Sequence, residues 1–195
     1  MRLHLIFGNI ASLSDEDLMK RVASKDDDRA FDELYHRHAR RVMGFLMRQL
    51  DDSEKAADLV QDAFMRLWSS RERYISDKCF STWLFAIAYN LLKNEYRRSG
   101  YSSEYAEHVM NSTTEEQDED LDVRLDDRMF DEALRKELSL LDAESRLLFS
   151  LRFEEEMTVP QIAEVMKIPE GTVKSRQHTI IRNLKHKLKI YEIRR

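Results

Sequence analysis

The stretch from Thr158 to Lys189, TVPQIAEVMKIPEGTVKSRQHTIIRNLKHKLK, limits the fold more than any other part of the chain, because it holds both prolines of the sequence at positions only helix ends tolerate. Thr158 is placed to cap a helix with Val159 and Pro160 in its first turn, where a missing N–H costs nothing. Ile162, Ala163, Val165 and Met166 give this short helix its apolar face, and Ala163 is small enough for another helix to cross closely. Lys167-Ile168-Pro169 ends it, since the residue before a proline is pushed out of the helical region. Pro169 can itself open the next helix. There Val173, Ile180 and Leu184 recur at near-helical spacing and face a core. Gly171, Lys174, Ser175 and His178 lie on the other side, with Thr179 and Arg182 close by.

A short helix, a proline-containing turn and a polar-faced second helix fit a helix-turn-helix whose second helix enters a DNA major groove. An ordinary helical hairpin with a solvated basic face has the same pattern. Charge favours the first reading. From Lys167 to Arg195 there are nine Lys or Arg against Glu170 and Glu192, in a chain whose net charge is −5. A basic patch in an acidic protein is the footprint of phosphate binding.

The rest of the charge is laid out in blocks. Residues 1–100 carry 17 basic and 16 acidic side chains, residues 101–131 carry 2 and 11, and residues 132–195 carry 13 and 10. The middle block is also poor in apolar side chains, so the pattern reads as two domains, 1–100 and 132–195, joined by an acidic flexible linker over 101–131. Four glycines and two prolines in 195 residues, with many Leu, Glu, Lys and Arg, point to an all-α fold. No apolar run approaches the ~20 residues of a membrane span, and Leu3 to Ala11 is too short and weakly charged for a signal peptide. A cytoplasmic protein without membrane insertion is expected. Cys79 is alone, which excludes an intrachain disulfide and zinc-finger spacing. His36 and His38, two apart, point to different sides of a helix, and no metal or other cofactor is expected.

Ser14 is a capping residue with an acid, Asp17, three positions on. Arg29 to about Leu50 places Phe31, Leu34, Tyr35, His38, Val42, Phe45 and Leu46 on one stripe, with His38 a partly buried helix residue rather than a ligand. From Glu54 to Trp68, Ala56, Leu59, Val60, Ala63, Phe64 and Leu67 form a broad apolar face and leave a narrow stripe of Glu54, Asp58, Gln61, Asp62 and Met65. Such a stripe is usually just solvated. Phe80 to Arg98 is a helix dense in aromatics, with Leu84, Ile87, Ala88 and Leu91 in its core. Trp83, Asn90, Lys93, Asn94 and Arg97 recur at steps of three, four and seven, placing an indole, two amides and two cations on one surface. Unstacked bases and phosphates ask for that mixture, although a plain amphipathic helix can carry it too. Leu134, Leu138, Leu140 and Leu141 make one further helix and Ser145 to Phe153 another. No phosphate loop and no set of nucleophile, base and orienting group is present, so the sequence carries no enzyme signature.

AFDELYHRHARRVMGFL, AADLVQDAFMRLW and FSTWLFAIAYNLLKNEYRR, between Ala30 and Arg98, resemble region 2 of the extracytoplasmic-function group of sigma-70 type RNA polymerase sigma factors. Leu138 to Leu188 resembles region 4 of the same group. Both blocks in order, with an acidic segment between them, make the resemblance specific. It implies a dissociable subunit that binds core RNA polymerase, directs it to promoter DNA and is commonly held by an anti-sigma factor. By the same resemblance Asp58, Gln61, Asp62 and Met65 dock on core polymerase, and Trp83, Asn90, Lys93, Asn94 and Arg97 capture and melt the minus-10 element. Gly171, Lys174, Ser175, Arg176, His178, Thr179 and Arg182 would meet the minus-35 element. The chain departs from the group at Lys167, where glycine is common, so a strained or altered turn is expected. It also has Thr179, Ile180 and Ile181 where an Arg-Ala-Arg run is common. An autonomous DNA-binding regulator and a helical adaptor remain the competing readings; neither would need the acidic stripe or the aromatic-amide helix.

Overall fold

A computed structural model of the protein describes residues 10–50, 52–75, 78–98 and 127–192. Most of the acidic linker expected over 101–131 therefore lies outside the described residues. Among the described residues there are helices and turns and no strand. The first half holds α1 (Asp15–Lys25), α2 (Asp28–Met47), α3 (Ser53–Ser69) and α4 (Phe80–Arg98). The second holds α5 (Asp127–Ser139), α6 (Ala143–Phe149), a π-helical turn over Ser150–Glu154, α7 (Val159–Met166) and α8 (Glu170–Glu192).

Local chemistry sets most of the boundaries. Ser14 caps α1 by accepting from the Asp17 N–H at 3.1 Å, and Asp27 and Asp52 cap α2 and α3 in the same way. Thr158 donates both its N–H and its hydroxyl to Gln161 Oε1, at 2.8 and 2.9 Å, fixing the start of α7. Helix α8 starts one residue later than the proline rule allows. The carbonyl of Pro169 accepts from Thr172 and Val173, so this proline stands just outside the helix as its cap. Lys167 ends α7 in the left-handed region, with φ 57° and ψ 43°. A lysine there costs about 1–2 kcal/mol that glycine would not, so the strained turn expected from the sequence is present.

Helices α1 to α4 pack on one another, and Leu34, Val42, Phe45, Leu46, Phe80, Leu84, Phe85, Ala88 and Leu92 are fully buried among them. Full burial of such side chains is worth about 1.5–3 kcal/mol each. Two expected core residues differ. Tyr35 is 42% exposed and meets Phe64 edge-on at 4.7 Å, and Ile87 is only half-buried. Leu140 is 70% exposed in the turn after α5, because that helix ends one residue earlier. The helix expected over Ser145 to Phe153 instead widens at Ser150, where Glu155 N–H reaches back five residues to the Ser150 carbonyl.

His38 is buried, with Nε2 2.7 Å from Asp15 Oδ2 and its ring against Phe80. An ionised carboxylate only accepts, so Nε2 carries the proton. The His38 hydrogen bond holds the Asp15 carboxyl below its ordinary value; burial opposes this and Arg37 adds to it. A lowered carboxyl contributes stability above its unfolded value, lost as pH falls through the folded one. Asp15→Asn should therefore cost about 2 kcal/mol at pH 7. In denaturant unfolding that difference should shrink as pH drops below the ordinary carboxylate range; a pH-independent cost would assign the loss to packing.

Candidate nucleic-acid interface

Three exposed surfaces emerge from this packing. On α3 the apolar face is buried against α2 and α4, which leaves Asp58, Gln61, Asp62 and Met65 in water. Met65 is 65% exposed. Asp58 and Asp62 stand four apart on one helix face, an arrangement that destabilises a helix by about 0.2–0.5 kcal/mol. Folding gains nothing from it. Tyr35 adds an aromatic edge next to this face through its contact with Phe64, and the sequence pattern had hidden it in the apolar stripe of α2.

The second surface lies on α4. Lys93, Asn94 and Arg97 are exposed, and Trp83 and Asn90 are half-buried. Trp83 leans on Tyr74, with ring centroids 5.2 Å apart, so it is held by the fold while one part stays open. Asn90 Nδ2 donates to the Ala86 carbonyl at 2.7 Å, which leaves its amide oxygen without an intrahelical role. Beside it an open groove of about 410 Å³ is lined by Arg66, Ser69, Ser70, Arg73, Ile87 and Asn90. Two cations, two hydroxyls, an amide and an apolar floor can hold a planar ring together with a phosphate. The sequence reading missed Arg66, Ser69, Ser70 and Arg73, because the end of α3 and the following connector look merely polar. Their signal was the pairing of cations with adjacent serines just before an aromatic-rich helix.

The third surface is on α8. Val173, Ile180, Leu184 and Leu188 are buried, and Gly171, Lys174, Ser175, His178, Thr179 and Arg182 are exposed. A Cβ at Gly171 would meet nothing within 4 Å, so no packing inside the chain requires glycine there. Lys174 Nζ lies 4.0 Å from Glu170, while Ser175 and Thr179 donate to carbonyls of their own helix. Arg176 is placed differently. Its guanidinium is ion-paired with Glu144 of α6, so it braces the helix rather than standing free on the reading face.

The chain matches the sigma-70 region 2 family over residues 34–101 and the sigma-70 region 4 family over residues 138–186. It is 30% identical over 169 residues to RNA polymerase sigma-H factor of Pseudomonas aeruginosa, covering 83% of this chain and 87% of that protein. It is 31% identical over 172 residues to the ECF RNA polymerase sigma-E factor of Haemophilus influenzae, covering 84% and 89%. Among solved structures the fold is similar to CnrH in complex with the cytosolic domain of CnrY, with TM-score 0.65, 23% identity and coverage of 90% of this chain and 97% of that one. The sigma factor RpoE of Bartonella quintana, solved with the anti-sigma factor NepR, gives TM-score 0.62 at 22% identity, covering 83% and 98%. No helix among the described residues is long and apolar enough to cross a membrane. Two sigma regions in order, an acidic stripe on α3 and polar faces on α4 and α8 make the chain a member of the sigma-70 family of RNA polymerase sigma factors, in its extracytoplasmic-function (ECF) group.

Proposed function

We propose that this sigma factor docks on core RNA polymerase through Asp58, Gln61, Asp62 and Met65 of α3. In this reading Trp83, Asn90, Lys93, Asn94 and Arg97 hold the opened minus-10 strand, and Lys174, Ser175, His178, Thr179 and Arg182 of α8 meet the minus-35 duplex. Gly171 lets the helix backbone approach DNA closely, and Arg176 supports α8 through Glu144. The groove beside Asn90 takes an unstacked base, with Arg66 and Arg73 near its phosphate. The work is binding and orientation, so no catalytic group or cofactor takes part. The protein acts in the cytoplasm, and an anti-sigma factor is its regulatory partner. Residues 1–100 and 132–195 serve as the two functional halves, joined by the acidic segment 101–131.

The joint exposure of the α3, α4 and α8 faces supports this reading best. An adaptor would need none of the three, and an autonomous regulator only the last. The direct test mixes the chain with sigma-free core polymerase and genomic fragments: specific transcript starts are expected, and their absence would remove the assignment. Within the minus-35 face, Lys174→Ala should relax base preference at one or two upstream positions by about 1–3 kcal/mol. Arg176→Ala should instead lower the melting temperature and weaken all promoters alike. A uniform loss from Lys174→Ala would mean that it touches only phosphate.

A further inference from the structure

Helix α1 is anchored in the core by Leu18, Met19 and Val22, and its polar side chains reach the segment between α3 and α4 at two points. The first lies at its C-terminal end. Asp26 stands there in the left-handed region, at φ 49° and ψ 43°, where glycine is unstrained and a side chain is not. Its carboxylate accepts from Arg71 Nε at 2.6 Å. Arg71 opens a 3-10 turn over Arg71–Arg73, donates from Nη1 to the Trp68 carbonyl at 2.9 Å and lays its guanidinium 4.8 Å from the centre of the Trp68 ring. Three partners thus hold one side chain. The Asp26 side chain is 66% exposed, and an ion pair so open to water adds little to stability, so folding does not account for an aspartate in a strained position.

The second point is the start of α4. Glu16 Oε1 accepts from the Phe80 N–H at 3.0 Å, so a carboxylate of α1 satisfies one of the free donors in the first turn of α4. Between the two anchored points the Tyr74 N–H donates to the Arg71 carbonyl at 3.1 Å and the Arg73 N–H to the Ser70 carbonyl at 2.9 Å. The Tyr74 hydroxyl donates to the Lys78 carbonyl at 2.8 Å, and its ring meets both Phe80 and Trp83. Ser70 and Arg73, on either side of Arg71 in the chain, line the groove beside Asn90. Asp26, Arg71 and Glu16 do not line it.

We propose that α1 braces the connector between α3 and α4, with Asp26, Arg71 and Glu16 as positioning residues that fix the shape of the groove and so its choice of minus-10 base. The proposal rests on the reading that the groove takes an unstacked base. Selectivity is a difference between bases, and it survives only where the contacting groups are held in place by a supporting shell. Released at Arg71, the turn that carries Ser70 and Arg73 samples more backbone states and meets several bases equally well. Charge alone predicts another result. Removing the Asp26 carboxylate takes a negative charge from beside a DNA-binding surface, which would tighten binding to every sequence alike.

The test uses holoenzyme assembled from the full chain and sigma-free core polymerase, on the strongest promoter recovered from the genomic fragments and its single-base variants across the minus-10 element. At the groove position the wild type should open the preferred base about tenfold faster than the others, as a good base contact gives. Asp26→Gly keeps the left-handed backbone, so melting temperature and core binding should not fall, while the preference drops to about threefold or less through slower opening of the preferred promoter. Asp26→Asn, which tolerates the same backbone and still offers Arg71 an acceptor, should keep most of the preference. Arg71→Ala should lose as much as Asp26→Gly, and the double variant no more than Arg71→Ala alone, because Asp26 acts through Arg71. Glu16→Ala should lose the preference and Glu16→Gln, whose amide oxygen still accepts from Phe80, should keep it. Unchanged preference in Asp26→Gly and Arg71→Ala while Asn90→Ala loses it would overturn the brace, as would an equal change on all bases or additive losses in the double variant. Failure of the groove reading would look different: Asn90→Ala would also keep the wild-type preference, and the brace would fall with that reading.

Discussion

Reversing Asp58 and Asp62 together to Lys is expected to abolish co-purification with core polymerase while leaving helicity and melting unchanged. Both side chains are exposed on the outer face of α3, with the buried face formed by Ala56, Leu59, Val60, Ala63, Phe64 and Leu67. Exposed substitutions of this kind change stability by about ±0.5 kcal/mol. Here the change also exchanges one i,i+4 like-charge pair for another, so the helix loses nothing. In the proposed docking the two carboxylates meet cations of the polymerase, so the reversal would create two like-charge juxtapositions at the interface, each costing several kcal/mol. The measurement is pull-down with sigma-free core, together with circular dichroism and thermal melting of the free variant. Retained binding would sink the docking assignment. Loss of binding with a lowered melting temperature would show that the stripe supports the fold.

Trp83→Ala should slow open-complex formation by about tenfold or more, since one base stacked on an aromatic is worth roughly 1–3 kcal/mol, and Asn90→Ala should slow it by about tenfold through the loss of amide hydrogen bonds to a base edge, worth about 1–3 kcal/mol. Their structural settings separate the two. Asn90 lines the groove at the end of α3 and bonds only within its own helix, so alanine there should leave the fold untouched. Trp83 also packs on Tyr74, so alanine removes a contact as well as a stacking surface, and Trp83→Phe, which keeps a ring, should recover most of the rate. A pre-melted promoter decides the role. Recovery on that template means the residues act in strand opening. An equal defect on both templates means they hold bases already separated, and a lower melting temperature for Asn90→Ala would remove it from the site.

The helices were legible wherever one local rule decided them. Ser14 was marked as a cap by the acid three residues on, and Phe80 to Arg98 was bounded by composition alone; both stand in the structure as read. The acidic stripe of α3 was legible because its apolar partners leave only one face for it. Tyr35 and Ile87 were misplaced for one reason: periodicity gives the direction of a side chain but not how far the neighbouring helix extends to cover it. The groove beside Asn90 was not legible, since its lining comes from α3, the connector and α4, and no spacing within one helix brings Arg66 and Arg73 to the same place.

The sequence by itself determined the helical class, the two homologous blocks and which helix faces stay polar, because capping, proline placement and 3.6-residue periodicity act over a few residues. Tertiary structure alone decided which members of those faces are free. Arg176 and Lys174 are two residues apart in one basic helix, yet Glu144 of α6 takes up the first and leaves the second in water. Nothing in the sequence singles out Arg41 and Arg48, yet in the fold the carboxylate of Glu155, more than a hundred residues away, accepts from both. Partners so distant in the chain are fixed by helix packing, since charge attraction has no preferred sequence separation and acts only where the fold brings the groups within a few ångströms.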